Sequence, residues 1–141
     1  MLNKKSEANL EIAVACLGKK DESFFSVGAS RAYYAVFQAT KHLLVKNNFD
    51  YKKFKQNYPN ANKQRDYAHG SIKRALKYFL VNNEFNSQDD LIFIKEIYPT
   101  FHRLYYWRLQ GDYEETVINK KNFKKIIKRA ERFINKLKKY D

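Results

Sequence analysis

The chain has 141 residues, 44% of them hydrophobic, enough for one domain to bury a substantial core. Only four glycines and two prolines punctuate it, and apolar residues recur at three- and four-residue spacing, so an all-α fold is expected. A formal charge of +13 favours phosphate-rich or acidic partners, while the lone Cys16 excludes an internal disulfide and leaves the usual metal-ligand set incomplete.

A first helix is expected over about residues 6 to 20, with Ser6 as N-cap, Leu10, Ala13, Val14 and Leu17 on its stripe, and Gly18 marking its end. Cys16 lies among apolar neighbours there and reads as a small buried hydrophobe. The second and longest helix runs from about Ser23 to Lys46 and turns Ala29, Ala32, Tyr33, Val36, Phe37, Thr40, Leu43 and Leu44 inward.

From Asn47 to about Arg65 the periodicity dissolves into lysine, asparagine and aromatics, and a long loop between helices 2 and 3 is expected. Its lysines and Phe49, Tyr51, Phe54 and Tyr58 have two readings: phosphates held beside stacked bases, or an insertion whose aromatics pack on the bundle.

A third helix begins between Asp66 and His69 and carries Ile72, Ala75, Leu76, Phe79 and Leu80 to about Asn82. The fourth opens on a capping box at Ser87 and places Leu91, Ile94, Tyr98, Phe101, Tyr105 and Leu109 on its stripe. Pro99 is expected to kink or divide it, and Gly111 to end it in the left-handed region, turning Asp112 and Tyr113 back beside Arg108. His102 and Arg103, one turn before Tyr106 and Trp107, read as surface residues unless that face is concave.

The last helix, capped by Asn119, has the cleanest stripe: Phe123, Ile126, Ile127, Ala130, Phe133, Ile134 and Leu137. Its other side is a basic face that includes Lys121, Lys124, Lys125, Lys128 and Arg132, suited either to solvent or to nucleic acid or an acidic protein. An antiparallel bundle of about five helices, forming one domain, is the architecture these elements imply. No run approaches membrane-spanning length and no signal-peptide pattern opens the chain, so no membrane association and a cytoplasmic location are expected.

Four blocks occur in order: SRAYYAVFQAT from Ser30, AHGSI from Ala68, Arg108 followed four residues later by Asp112 and Tyr113, and AERFI from Ala130. In this order they resemble the HEPN superfamily, within it the small stand-alone branch of uncharacterised proteins, over nearly the whole chain apart from the enlarged segment before His69. The resemblance implies a helical bundle that commonly forms homodimers. It also implies a place among RNA-cleaving toxins, anti-phage effectors and partners of nucleotidyltransferases, so RNA or a nucleotide is the expected ligand and a nucleotidyltransferase or an antitoxin the expected protein partner.

The resemblance implies a known pattern: many HEPN nucleases cleave without metal through an arginine followed by a histidine after four to six intervening residues. This chain departs from that pattern: after Arg108 it has Asp112 and Tyr113, and its nearest approach is Arg65 and His69, with three intervening residues and elsewhere in the fold. His69 and Arg108 are therefore the candidate catalytic pair, His69 as acid or base and Arg108 as phosphate clamp. Arg31, Tyr34, Arg65, Asp112 and Tyr113 are candidate binding residues, and neither a metal nor another cofactor is expected. The same residues have structural readings: His69 as a helix cap, Arg108 and Asp112 as an ion pair, and Tyr33 as core. A binding module, a metal-independent endoribonuclease and a non-catalytic structural dimer are the three functional classes left open.

Overall fold

A computed structural model of the chain describes residues 3–113 and 117–141. Among these residues there are six α-helices and no strand: α1 (Lys4–Cys16), α2 (Ser23–Lys46), α3 (Tyr51–Asn57), α4 (His69–Asn82), α5 (Gln88–Tyr113) and α6 (Lys120–Leu137). Short 3₁₀ turns occupy Pro59–Lys63 and Lys138–Tyr140. No helix among the described residues is long and apolar enough to cross a membrane.

α2 packs against α1, α4, α5 and α6, and its buried side is dominated by small residues. Gly28, Ala29, Ala32, Ala35 and Ala39 let neighbouring helices approach its backbone closely. At Gly28 the approach is extreme, since an added Cβ would stand 2.3 Å from the Phe123 ring of α6 and 3.1 Å from Cys16 Cβ. Phe123 fills that space and stacks on Phe25 with ring centroids 4.9 Å apart.

The first helix starts earlier than its sequence implies. Asn3 caps it by accepting from the Lys5 and Ser6 amides, while Ser6 is buried one turn inside and donates to the Ala35 carbonyl at 2.8 Å. Ala13 and Cys16 face the core, but Val14 is exposed, and the helix closes at Cys16 before Gly18. Burial pushes the Cys16 thiol above its usual pKa, which keeps it protonated and unreactive.

The expected long loop after α2 is instead α3 and a 3₁₀ turn. Asp50 caps α3 by accepting from the Lys53 amide at 3.0 Å, and Tyr51 and Phe54, three residues apart, drive one face into the core. Phe54 meets the rings of Tyr58 and Tyr78, and Tyr51 meets Tyr67 at 4.6 Å, so Tyr51 and Phe54 pack into the bundle and are not free to stack bases, while Tyr58 stays exposed. The Tyr51 hydroxyl also hydrogen-bonds Ser71 Oγ at 2.9 Å, tying α3 to the first turn of α4.

The fifth helix corrects three expectations. Its buried stripe is Asp90, Phe93, Ile97, Thr100, Phe101 and Leu104; of the expected stripe Phe101 is buried, Ile94, Tyr98 and Tyr105 pack partly buried at its edge, and Leu91 is exposed. The helix is not divided at Pro99, and it continues through Gly111, which lies outside the left-handed region. Gly111 serves a close approach: a Cβ there would sit 3.0 Å from Ser26 Cβ and 3.1 Å from Ser26 Cα at the start of α2. Asp112 and Tyr113 therefore extend the helix and do not turn back.

The capping box at the start of α5 is present, with the Asp90 amide donating to Ser87 Oγ and the Ser87 amide to Asp90 Oδ2. Asp90 also accepts from Lys139 Nζ at 2.8 Å and the Tyr140 hydroxyl at 2.6 Å, fastening the end of the chain to α5. These bonds, Lys139 first, hold its carboxyl far below the usual carboxylate range. A depressed folded-state pKa gives stability that is present above the unfolded value of about 3.9 and disappears as acid protonates the folded group. Asp90→Asn is expected to lower the melting temperature at neutral pH, and the gap from the parent chain should shrink as pH falls below about 4. Thermal melts followed by circular dichroism across that range check it, and a gap independent of pH would refute the assignment.

Candidate functional site

α2, α4 and α5 bring together the rings of Tyr33 and Tyr34, His69, and Tyr105 with Arg108. Tyr33 sits on the buried face of α2, and Tyr34, one residue and about 100° further round, is half-buried beside it. His69 is the first residue of α4, after Ala68, which has extended backbone, and Tyr67, whose φ of 59° is in the left-handed region. That conformation is unusual for a bulky side chain and lies two residues ahead of His69. Tyr105 and Arg108 are three apart on α5 and so share a face.

The Tyr33 hydroxyl is in direct hydrogen-bond contact with His69 Nδ1, and the His69 ring lies on Tyr105 with centroids 4.1 Å apart. The Arg108 guanidinium is held over three tyrosine rings, 4.9 Å from Tyr34, 5.3 Å from Tyr33 and 5.8 Å from Tyr105. Among the described residues it pairs with Asp112 of its own helix, with Nε to Oδ2 at 3.5 Å. That is an ion-pair separation but not a hydrogen bond, and the solvent-shielded Nε makes none.

The electrostatics follow from this packing. Burial, then the charges of Arg108 and Lys73, push the His69 pKa below its ordinary value, so the ring is neutral at pH 7. Burial raises the Tyr33 phenol well above its ordinary range, outweighing the opposing pull of Arg108, so the hydroxyl keeps its proton. A phenol can donate to Nδ1 or accept from it, and either bond fixes the imidazole plane while directing Nε2 away from Tyr33. With the proton on Nδ1, Nε2 is an acceptor and a base; with the proton on Nε2, it is a donor. The cluster thus sets one planar cation, its Nε shielded from solvent, beside one neutral imidazole.

Several sequence candidates are placed elsewhere. Arg31 is exposed and bonds Asn9 Oδ1 at 3.2 Å on the α1 side of α2. Arg65 is exposed in the segment before α4, where its carbonyl accepts from the Ala68 amide. Tyr34, by contrast, belongs to the cluster and meets Arg108 with its ring face. The side chain of Tyr113 lies outside the described residues. Lys121, Lys124, Lys125, Lys128 and Arg132 form an exposed face of α6, with Arg132 bonded to Glu96 at 3.0 Å. Tyr105, a stripe residue by its spacing, and Lys73 also act on the cluster, and their sequence signals are the i to i+3 spacing with Arg108 and the i to i+4 spacing with His69. Among the described residues no group of three or more histidine, cysteine, aspartate or glutamate side chains is arranged to hold a metal ion.

Fold and cluster together define an all-helical protein with an arginine and a neutral histidine set on a tyrosine platform. Across curated proteins the chain is similar to one of Methanocaldococcus jannaschii named "Putative toxin MJ0142", with 26% identity over 140 residues, 99% of this chain and 78% of that protein. No protein-family model matches the chain. No solved structure matches it.

Proposed function

We propose that this chain is a single-domain, toxin-like HEPN protein whose Arg108 and His69 bind the phosphate of RNA or a nucleotide, with Tyr34 beneath the arginine and Asp112 beside it. The carrying observation is the Arg108 guanidinium, stacked on three tyrosines with a shielded Nε that makes no hydrogen bond, beside a neutral imidazole. A planar guanidinium fixed in this way loses little entropy when phosphate oxygens arrive. The relative's name supports toxin-like action, and the four ordered sequence blocks support HEPN membership with action in a toxin–antitoxin, anti-phage or nucleotidyltransferase-associated system. An antitoxin or nucleotidyltransferase partner and a homodimer belong to the same reading.

A second reading, metal-independent RNA cleavage, is favoured by one specific feature: a neutral His69 whose Nδ1 is held by a protonated Tyr33. In that reaction Nε2 takes the 2′-hydroxyl proton, the 2′-oxygen bonds to phosphorus, and the bond to the 5′-oxygen breaks as the His69 imidazolium returns that proton to it. Arg108 stabilises the charge gathered on the phosphorane.

Phosphate beside His69 favours its charged form, so the bound-state pKa must exceed the free-state value, which lies below 6.5. Affinity is accordingly expected to rise as pH falls through the interval between the two values. NMR titration of the His69 ring with a thymidine dinucleotide, whose phosphodiester keeps its single charge across this range, combined with binding isotherms at several pH values, tests this. An unmoved His69 resonance at saturating nucleotide would sink the site assignment.

A further inference from the structure

On the side of α5 away from His69, a groove of about 670 Å³ opens between α5 and α6. Arg103 and Trp107 border it, each two residues from Tyr105 and so about 200° round the helix from the tyrosine platform. The face that carries Arg103 is therefore concave. Its floor is apolar: Ile92, Pro99 and Trp107 run along α5 with buried Leu104 and, from α6, Phe133. From Ile92 to Trp107 this floor extends about 22 Å, the length of roughly four helical turns.

Its charge is one-sided. Six cations line the groove (Lys95, Arg103, Lys125, Lys128, Arg129 and Arg132) against one carboxylate, Glu96. Both Glu96 oxygens are already taken, by Arg132 at 3.0 Å and by Lys136 at 2.8 Å. Burial and then the charges of Arg103 and Arg132 push Arg129 below the usual arginine range, against a smaller pull from Glu96. Cations crowded beside apolar surface repel one another and are relieved by an incoming anion.

We infer that this groove receives an acidic amphipathic helix of a partner protein, its apolar side chains on Pro99 and Trp107 and its carboxylates on Arg103 and Arg129. Apolar side chains set between two helices and flanked by cations are what helix-in-groove recognition of an acidic helix uses, and arginine pairs carboxylates bidentately. A single nucleic-acid strand calls for successive stacking platforms, whereas the groove offers one half-buried aromatic, Trp107. A second copy of the chain, itself carrying +13, would bring more cations than carboxylates. The inference rests on the groove alone and stands or falls independently of the His69 site.

Trp107 is the single tryptophan of the chain, so its fluorescence reports occupancy of the groove directly. The probes are a four-turn Glu/Leu peptide of amphipathic pattern, the same composition scrambled, and an oligouridylate. The amphipathic peptide is expected to shift Trp107 emission saturably and to bind at least 10-fold more tightly than the scrambled one. Arg103→Gln with Arg129→Gln should weaken that binding by 10-fold or more and leave uridine monophosphate binding unchanged. Unmoved emission, equal binding of the scrambled peptide, or displacement of the peptide by oligouridylate at lower concentration would each overturn the inference. Should the double variant fail to fold by circular dichroism, the two peptides compared on the parent chain still decide.

Discussion

Arg108→Ala is expected to weaken binding of single-stranded RNA or uridine monophosphate by roughly 10- to 100-fold, the equivalent of one or two charge-assisted hydrogen bonds worth about 1.5–3 kcal/mol. Arg108→Lys should recover little, because an ammonium cannot present a planar fork while lying across Tyr33, Tyr34 and Tyr105. His69→Ala separates the two functional readings. If the site only binds, affinity falls a few-fold and no cleavage is lost because none occurs. If it cleaves, product formation drops by roughly 10² to 10⁴ while binding largely survives. Tyr33→Phe removes the hydroxyl at Nδ1 but keeps the ring, so under the cleavage reading it alters the pH profile more than the affinity. Filter binding and gel assays of RNA integrity in metal chelator check these outcomes, with circular dichroism confirming the fold of each variant. Full RNA and nucleotide affinity in Arg108→Ala would refute the phosphate-clamp role.

Phe133→Ala should be the most damaging of the proposed changes to the fold. Phe133 is 1% exposed and packs on Phe93 at 5.0 Å and Phe101 at 5.6 Å between ring centroids, so it joins α5 to α6 beneath the cationic groove. Removing a buried phenyl ring costs about 3–5 kcal/mol, transfer and cavity effects together. At this chain length that loss corresponds to a fall in melting temperature on the order of 10 °C. Val81→Ala, at a position 54% exposed on α4, is the matched control and should change stability by less than about 0.5 kcal/mol. Urea unfolding of both variants measures the difference, and a Phe133→Ala midpoint indistinguishable from that of Val81→Ala would contradict the packing described.

The parts of the molecule legible in its sequence are those whose periodicity is unambiguous. All seven apolar residues assigned to the inner face of α6, and all five assigned to α4, are buried, because each helix offers only one contiguous apolar stripe. α5 offers two, since Leu91, Ile92, Phe93 and Ile94 are consecutive, and only contact with α2 and α6 selects Phe93 over Leu91. The segment after α2 has no periodic signal over seven residues, and α3 forms there because Tyr51 and Phe54 find a core already built by α4.

For the candidate site, sequence alone determined the chemistry available: an arginine, a histidine, an aspartate and several tyrosines near helix ends, with an excess of positive charge. It also determined that His69 and Arg108 lie on different helices, 39 positions apart, and so could meet only through folding. Tertiary structure decided which partners each received. Tyr33 was readable as core from its place on α2, but its hydroxyl bond to His69 depends on how α4 lies against α2. Gly111 was readable as a helix end, yet the proximity of Ser26 made it a contact point inside a longer helix. Local sequence encodes which face of a helix is apolar; how two helices meet, and therefore which polar groups converge and which cations are left crowded along the α5–α6 groove, is set by packing across the whole bundle.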